Sequence, residues 1–172
     1  VRLLFDTYRQ VGSATATVRR FHREGILFPR HVRRGIGKGD IVAVQLPNWV
    51  EMCFLQIALS RIGAVIQPTH MVFRERDITN LFRFCETDAA VVPERYKDVG
   101  HADMIRGLWP ELPRLRKLIV TRGDPKGERD HGFAALMDEG RRNLGRLAGV
   151  QTAPDDVFYL NFTSGTEGDP KG

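Results

Sequence analysis

The sequence predicts an α/β fold with a mostly parallel sheet flanked by helices. From Gly39 onward, short β-branched apolar runs alternate with amphipathic segments of helical period. The connections between them are short, which favours a sheet built by crossover connections. The runs are also almost continuously apolar, as is typical of strands covered on both faces.

The predicted elements alternate along the chain. Strands are expected at residues 41–46, 64–66, 89–92 and 115–121, and a last one at 156–162 that runs into a loop. Helices are expected at residues 49–62, 74–86, 101–109 and 133–140. Asn48 is predicted to cap the first helix and Gly63 to end it. The second helix should bury one face, because its apolar residues recur at i, i+3, i+4 and i+7: Ile78, Leu81, Phe82 and Cys85.

Composition and length indicate a soluble globular protein of one domain, or one and a half. The chain has 172 residues, of which 42% are hydrophobic and 27% charged. No apolar run approaches the roughly 20 residues that a membrane span needs. Arg2, Asp6 and Arg9 interrupt any signal-peptide core near the start. We therefore expect a cytoplasmic protein without a transmembrane segment.

The cysteines and histidines do not indicate a metal site. Cys53 and Cys85 have no CxxC spacing and no neighbouring histidine, so buried, reduced thiols are the favoured interpretation. The five histidines are scattered without an HxxxH pair, and most are expected at the surface or in loops.

The net charge of +5 favours anionic ligands without singling out nucleic acid. Basic residues cluster at 19–23, 30–34 and 114–117. These clusters lie in separate segments and lack the aromatic alternation of a base-stacking platform. A solvated basic face is therefore preferred to a nucleic-acid interface.

The segment most informative about chemistry is residues 163–172, Thr-Ser-Gly-Thr-Glu-Gly-Asp-Pro-Lys-Gly. It follows a predicted strand, and α/β sheets bind ligands beyond the carboxyl ends of strands. Its glycines allow backbone N–H groups to approach an anion closely. Hydroxyls and the Lys171 ammonium add further donors, so the segment suits a polyphosphate.

Two known phosphate motifs are excluded. Lys171 follows Pro170 and precedes Gly172, which does not fit the Walker A pattern, and no Rossmann GxGxxG occurs. From composition alone, an ordinary Gly/Ser/Thr turn between two strands remains equally open.

The order of residues 162–172 resembles the signature loop of the adenylate-forming superfamily, which includes acyl-CoA synthetases and aryl-acid ligases. That loop usually has Tyr or Phe, then Thr-Ser-Gly, Thr or Ser, Thr-Gly, a free position and Pro-Lys-Gly. Ten of the eleven positions agree when Asp169 takes the free position. The departure is Glu167, where threonine is commonest.

The resemblance extends upstream to about residue 35. Residues 39–48 resemble the family's strand segment that begins Gly-Asp and ends in Asn, and residues 59–68 resemble its Gly-Ala segment ending in Pro. Residues 74–78 (Arg-Glu-Arg-Asp-Ile) lie where the family often has a short charged helix start. Residues 1–34 match poorly. The pattern leans toward synthetases similar to cyclohexanecarboxylate and dihydroxybenzoate ligases.

The resemblance implies an acid–thiol ligase that uses ATP, Mg²⁺ and coenzyme A. A carboxylic acid would become an acyl-adenylate, and the acyl group would then pass to coenzyme A. Lys171 would stabilise phosphate charge, and the rest of the loop would hold the β- and γ-phosphates. The phosphate-binding residues carried over are Thr163, Ser164, Gly165, Thr166, Glu167, Gly168 and Lys171. The carboxylate of Glu167 is expected to point outward, away from the anion.

The resemblance also implies that residues 35–172 are a partial N-terminal domain that stops after the loop. The acyl pocket, the adenine contacts and the C-terminal domain with its adenylation lysine would lie downstream, so we expect the chain to be inactive alone. Three alternatives stay open: a non-catalytic nucleotide- or anion-binding module, a basic nucleic-acid-binding domain, and a truncated product without function. The acid is left open as aliphatic, aromatic or alicyclic, and so is the oligomeric state.

Overall fold

A computed structural model of the chain describes Gln10, residues 35–142 and residues 150–162. Most of these residues belong to a compact unit that spans Arg34–Asn161. Its strands are β1 (Ile41–Val44), β2 (Val65–Pro68), β3 (Ala89–Pro93), β4 (Lys117–Thr121) and β5 (Asp130–Gly132). They form one parallel sheet in the order β2-β1-β3-β4-β5. The predicted α/β class is confirmed.

Helices connect these strands in the described part of the chain: α1 (Val50–Ile62), α2 (Glu75–Cys85), α3 (His101–Gly107) and α4 (Phe133–Arg142). A short 3₁₀ turn at Trp109–Glu111 follows α3. No helix in the described ranges has the length and apolar character that a membrane span requires.

The sheet separates two layers of helices. Val44 and Leu46 pack in a core cluster with Leu55 and Leu59 of α1. Gln45, between them in sequence, points to the other face because side chains alternate along a strand, and there it meets His101 of α3. The buried face predicted for α2 is confirmed, since Ile78, Leu81, Phe82 and Cys85 are all buried.

Gly63 ends α1 as predicted, but Asn48 does not cap it. Gly63 has φ +70°, a left-handed conformation that glycine adopts at low cost. The N-cap is Trp49, which makes no side-chain capping hydrogen bond. Its ring lies 3.6 Å from the Arg122 guanidinium and 5.9 Å from the Tyr96 ring. Contacts of the Trp49 ring therefore hold the start of α1 in place of a capping side chain.

One expectation needs correction, and two features were not anticipated. Cys53 is exposed and not buried, whereas Cys85 is buried as predicted. His101 is almost fully buried, an exception to the expectation that most histidines lie at the surface or in loops. Strand β5 was not predicted, because Asp-His-Gly carries no β-branched or apolar residue. It is a strand only through its pairing with Leu118, Ile119 and Val120 of β4.

Candidate functional site

The residues predicted to bind phosphate all lie outside the described residues: Thr163, Ser164, Gly165, Thr166, Glu167, Gly168 and Lys171. Their roles therefore stay predictions. The structure does describe residues 150–162, through which the chain enters this loop. That stretch shows at which edge of the sheet the described chain arrives before the loop.

Residues 157–161, called here the approach segment, run parallel to β2 along its outer side. Tyr159 pairs with Ile66 in a single parallel bridge. The Ile66 N–H donates to the Phe158 carbonyl at 2.9 Å, and the Leu160 N–H donates to the Ile66 carbonyl at 2.8 Å. The predicted strand at 156–162 is thus reduced to one bridge. Because the pairing is parallel, the chain leaves Asn161 at the carboxyl edge of the sheet, where α/β proteins bind ligands.

Three consecutive side chains of the approach segment are partly exposed. Val157, Phe158 and Tyr159 are 63%, 45% and 42% exposed. Consecutive side chains of an extended chain point to opposite sides, so the exposed area lies on both sides of the segment.

A clamp at the amino edge of the sheet fixes the chain just before the approach segment. The Lys38 ammonium lies 2.5 Å from the Asp156 carboxylate and donates to the Gln151 carbonyl at 3.0 Å. The same Asp156 oxygen accepts the Ala153 N–H at 2.7 Å. The Lys38 hydrogen bond, helped by the Ala153 N–H, holds the pKa of Asp156 below its ordinary value. We call this the Lys38–Asp156 clamp.

A buried amide organises the loop that follows β2 at the carboxyl edge. Gln45 Nε2 donates to the carbonyls of His70 and Phe73, at 2.8 and 3.2 Å. Its Oε1 lies 3.1 Å from Nδ1 of His101, so we assign the proton to Nδ1. Burial, with a smaller effect of the Arg74 charge, lowers the pKa of His101. The ring is therefore neutral at pH 7.

The crevice between β1 and β3, where the strand order reverses, is filled by the chain's own side chains. A doubly wound sheet usually binds its ligand at such a point. Here Arg122 stacks on Trp49 and binds Glu51 with two hydrogen bonds, of 2.8 and 3.1 Å. Tyr96 packs edge-on against the same indole. The arrangement satisfies its own charges and does not indicate a ligand site.

A groove of about 610 Å³ lies beside β5 and the end of α3. Two of its cations are already neutralised: Arg106 pairs with Asp130 at 2.7 Å, and Lys126 pairs with Glu94 at 2.6 Å. The groove therefore does not offer phosphate a set of free positive charges. In the ranges that the structure describes, no group of three or more His, Cys, Asp or Glu side chains could hold a metal ion.

The described unit has a parallel sheet, and its edge segment ends at the carboxyl edge of that sheet. In the sequence, this segment is followed directly by a Gly-, Ser- and Thr-rich stretch with one lysine. This defines a candidate phosphate-binding protein of the α/β class. The chain belongs to the AMP-binding enzyme family, whose model matches residues 16–172.

Curated relatives and a solved structure agree with this membership. The chain is 31% identical over 139 residues to the medium-chain fatty-acid–CoA ligase of Escherichia coli (strain K12), covering 81% of this chain and 24% of that protein. It is 31% identical over 137 residues to the 2,3-dihydroxybenzoate-AMP ligase of Bacillus subtilis (strain 168), covering 78% and 23%. The fold is similar to that of the anthranilate CoA ligase AuaEII, solved with anthranoyl-AMP. The TM-score is 0.62 with 18% identity over 79% of this chain and 24% of that chain. The chain thus spans about a quarter of the length of these proteins.

Proposed function

We propose that this chain supplies the phosphate-binding part of an enzyme that activates a carboxylic acid with ATP and transfers the acyl group to coenzyme A. Two observations support the proposal: the family match over residues 16–172 and the parallel bridge between Tyr159 and Ile66. The bridge is the structural observation that carries it, because it brings the chain at Asn161, two residues before the predicted loop, to the carboxyl edge of the sheet.

The proposed reaction has two steps. A carboxylate oxygen of the acid attacks the α-phosphorus of ATP, the bond to the β-phosphate oxygen breaks, and acyl-adenylate and pyrophosphate form. The thiol of coenzyme A then attacks the acyl carbon, and AMP leaves. Negative charge grows on the departing pyrophosphate in the first step. Donors oriented before the reaction lower that barrier most effectively.

The loop would supply these donors. Backbone N–H groups at Gly165 and Gly168, hydroxyls of Thr163 and Thr166, and the Lys171 ammonium suit the β- and γ-phosphates. We propose that the Glu167 carboxylate points away from the anion. Mg²⁺ would be held mainly through phosphate oxygens, as is usual for this ion, and would neutralise part of the pyrophosphate charge.

Replacing Lys171 tests the proposal directly. In the longest protein that contains this sequence, we expect Lys171→Ala to slow ATP–pyrophosphate exchange on the order of 10²-fold, as removal of one preorganised donor does. Thiolation of added acyl-adenylate should change less. Lys97→Ala is the matched control, because Lys97 is an exposed lysine outside the predicted loop. Unchanged exchange in Lys171→Ala would remove this lysine from the active role.

We also propose that the 172-residue chain has negligible ligase activity alone. Its relatives are about four times as long, since it covers 24% of the E. coli ligase. Helix α1 is apolar on two sides: Leu55 and Leu59 face the sheet, while Val50, Phe54 and Ile57 are exposed. A helix that is apolar all round is usually covered on all sides. Acyl-CoA formation by the isolated chain, followed with a panel of acids, would contradict this proposal.

The same assays separate the alternatives. ATP binding without pyrophosphate exchange would indicate a non-catalytic nucleotide-binding module. A salt-dependent affinity for DNA would indicate a nucleic-acid-binding domain. Two of the three cations in the basic cluster at 114–117 are already paired, since Arg114 binds Asp88 at 2.9 Å and Arg116 lies 3.1 Å from Asp40. This observation weighs against a nucleic-acid interface at that cluster. We place the reaction in the cytoplasm, where ATP, coenzyme A and free thiols such as Cys53 and Cys85 coexist.

We propose a carboxylic acid as the substrate and leave its type open. Relatives named for a fatty acid and for an aromatic acid are both 31% identical to this chain. Pyrophosphate exchange with matched aliphatic, aromatic and alicyclic acids would identify the class, because exchange needs the acid as well as ATP.

A further inference from the structure

Two side chains bind the carbonyl groups of residues 69–74, called here the β2–α2 loop. Gln45 Nε2 donates to the carbonyls of His70 and Phe73, at 2.8 and 3.2 Å. The Arg74 guanidinium donates to two carbonyls of the same loop at 2.8 and 2.9 Å, one of them again that of Phe73. These hydrogen bonds fix the path of the loop at the carboxyl edge of the sheet.

The amide that holds the loop also fixes the proton on His101. A carbonyl can only accept, so the NH₂ group of Gln45 must face the loop and its Oε1 faces the ring. Nδ1 of His101 lies 3.1 Å from this oxygen and therefore donates, which leaves Nε2 of the neutral ring without a proton. The ring is only 1% exposed. A second proton would thus place a charge in a buried position, which is costly unless the charge is paired.

The carboxylates nearest to the ring are already paired with other cations. Glu94 binds Lys126 at 2.6 Å, and Asp103 binds Arg106 at 2.6 Å. In the part of the chain that the structure describes, no carboxylate forms an ion pair or hydrogen bond with the His101 ring. The charged and titratable groups on the elements next to the ring are His70, Arg74, Glu94, Arg95 and Asp103. Burial, and then the Arg74 charge, lower the pKa of His101.

The two sides of the His101 ring differ in how firmly they are held. On one side is α3, whose buried residues are His101, Ala102, Met104 and Ile105. On the other side is the β2–α2 loop, where His70 is exposed and Val72 is 74% exposed. Segments that bury few apolar groups open at the lowest free energy. The loop is therefore the side that gives way when the contact with His101 becomes unfavourable.

We propose that His101 is a pH-sensitive switch that opens the β2–α2 loop when the ring is protonated. The neutral ring donates to Gln45, and Gln45 holds the loop closed. The protonated ring carries a charge beside the Arg74 guanidinium, and opening the loop separates the two charges and hydrates the ring. Opening returns the pKa of the ring toward its ordinary value of 6.5, so a fall in pH below 6.5 favours the open loop. This switch does not depend on the proposed reaction.

Amide hydrogen exchange of the 172-residue chain between pH 7 and pH 5 tests the switch. The reporting amide is that of Phe73, whose N–H donates to the His70 carbonyl at 3.1 Å. After correction for intrinsic rates, we expect its protection to fall on the order of fivefold, since one linked proton changes an equilibrium at most about tenfold per pH unit. The Gln45 amide, bonded to the Val91 carbonyl at 2.9 Å, reports the sheet. It should be better protected at each pH, and equal protection of the two amides would overturn a local opening.

Histidine variants assign the effect to one ring. His101→Gln should remove the pH dependence of Phe73 exchange. His131→Gln is the matched control, because the pKa of His131 is also lowered by burial but this ring lies on β5, at the other edge of the sheet. His70→Gln tests the histidine of the loop itself, and both variants should keep the dependence. Persistence in His101→Gln, or loss in His70→Gln, would overturn the proposal, and so would constant protection in the wild-type chain.

The wild-type chain decides the question if His101→Gln does not fold. Protonation of the closed form ends the linkage, so the fall in Phe73 protection should level off at the pH where the His101 ring resonances titrate in NMR spectra. Levelling at a different pH would mean that another group drives the opening, and the switch would not be His101.

Discussion

Strand β3 and the approach segment are both short apolar runs, yet they are held in different ways. Ala89–Pro93 pairs with β4 along its whole length and with β1 on the other side, and all of its residues are buried. The approach segment pairs through Tyr159 alone and exposes three consecutive apolar side chains. One run lies in the interior of the sheet and the other at its edge.

The difference shows that burial comes from the place of a run in the sheet and not from its composition. A central strand gains hydrogen bonds on two sides and helices on two faces, so its position is overdetermined. The edge segment shows one bridge in the described residues, and an ion pair between residues 118 apart in sequence lies just before it in the chain. The central strands form the scaffold, while the predicted phosphate-binding residues follow the edge segment in the sequence.

The largest contrast is expected from matched truncations of phenylalanine. Phe82 in α2 is 2% exposed, and Phe82→Ala leaves a cavity in the core. We expect a loss of about 3–5 kcal/mol in the free energy of unfolding, measured by urea denaturation. Phe158→Ala, at the half-exposed edge, should cost less than about 1 kcal/mol. Similar losses for both variants would show that the approach segment is packed as firmly as the centre.

The two regions are also held by different carboxylates. Asp88 is buried between β1 and β3, where it accepts the Ile41 N–H at 3.0 Å and binds Arg114 at 2.9 Å. Asp88→Ala should lower the free energy of unfolding by roughly 2–3 kcal/mol, because a buried N–H loses its partner. Asp156→Asn should leave global unfolding unchanged and affect only the exchange of the Ile66 and Leu160 amides. A large global loss in Asp156→Asn would contradict the division into scaffold and edge.

The two regions should respond to acid in different pH windows. The pKa of His101 is lowered in the folded protein from a reference of 6.5, so the unfolded chain binds more protons as the pH falls. The stabilisation is therefore complete above pH 6.5 and declines below it. His131 has a lowered pKa too, from burial and then the nearby Lys117 charge, and adds to the same trend. His101→Gln should flatten part of the pH dependence of urea unfolding.

The Lys38–Asp156 clamp should stay intact in the pH range just below 6.5, where His101 and His131 affect stability. The pKa of Asp156 lies below its reference of 3.8, so its contribution is present above that pH and is lost as the pH falls through the folded-state value. After correction for intrinsic exchange rates, protection of the Leu160 amide should stay constant from pH 7 to pH 5, while global stability declines. Parallel decline of both quantities would show that the edge and the centre open together.

The sequence was sufficient for the class of fold and for the elements that carry strong periodic signals. The apolar runs of β1, β3 and β4, the buried face of α2 and the end of α1 at Gly63 were all predicted. These features depend on local pattern. Elements that depend on distant partners were not predicted: β5 has a polar sequence, and its strand character comes from β4.

The same limit applies to the candidate site. The loop motif could be recognised because its chemistry is contiguous, although residues 163–172 remain a prediction. Lys38, Asp156, Gln45 and His101 could not be assigned roles from sequence. Lys38 and Asp156 resemble ordinary surface charges, and His101 resembled one of several scattered histidines until the fold brought it to Gln45. No local signal distinguishes a buried polar contact of this kind from a solvated side chain.

The smallest expected effect concerns the two thiols, Cys53 and Cys85, which the sequence analysis placed in similar apolar helices. Burial raises the pKa of Cys85 in α2 to about 12, whereas Cys53 lies exposed on α1. Because the thiolate is the reactive form, iodoacetamide at pH 8 should alkylate Cys53 and leave Cys85 unmodified in the folded chain. Peptide mass spectrometry measures both sites, and unfolding in urea should make them equally reactive. Cys85→Ser should keep the single modification. Equal labelling of both thiols before unfolding would mean that α2 opens readily. Firm packing would then be limited to the strands of the sheet and would not include this helix.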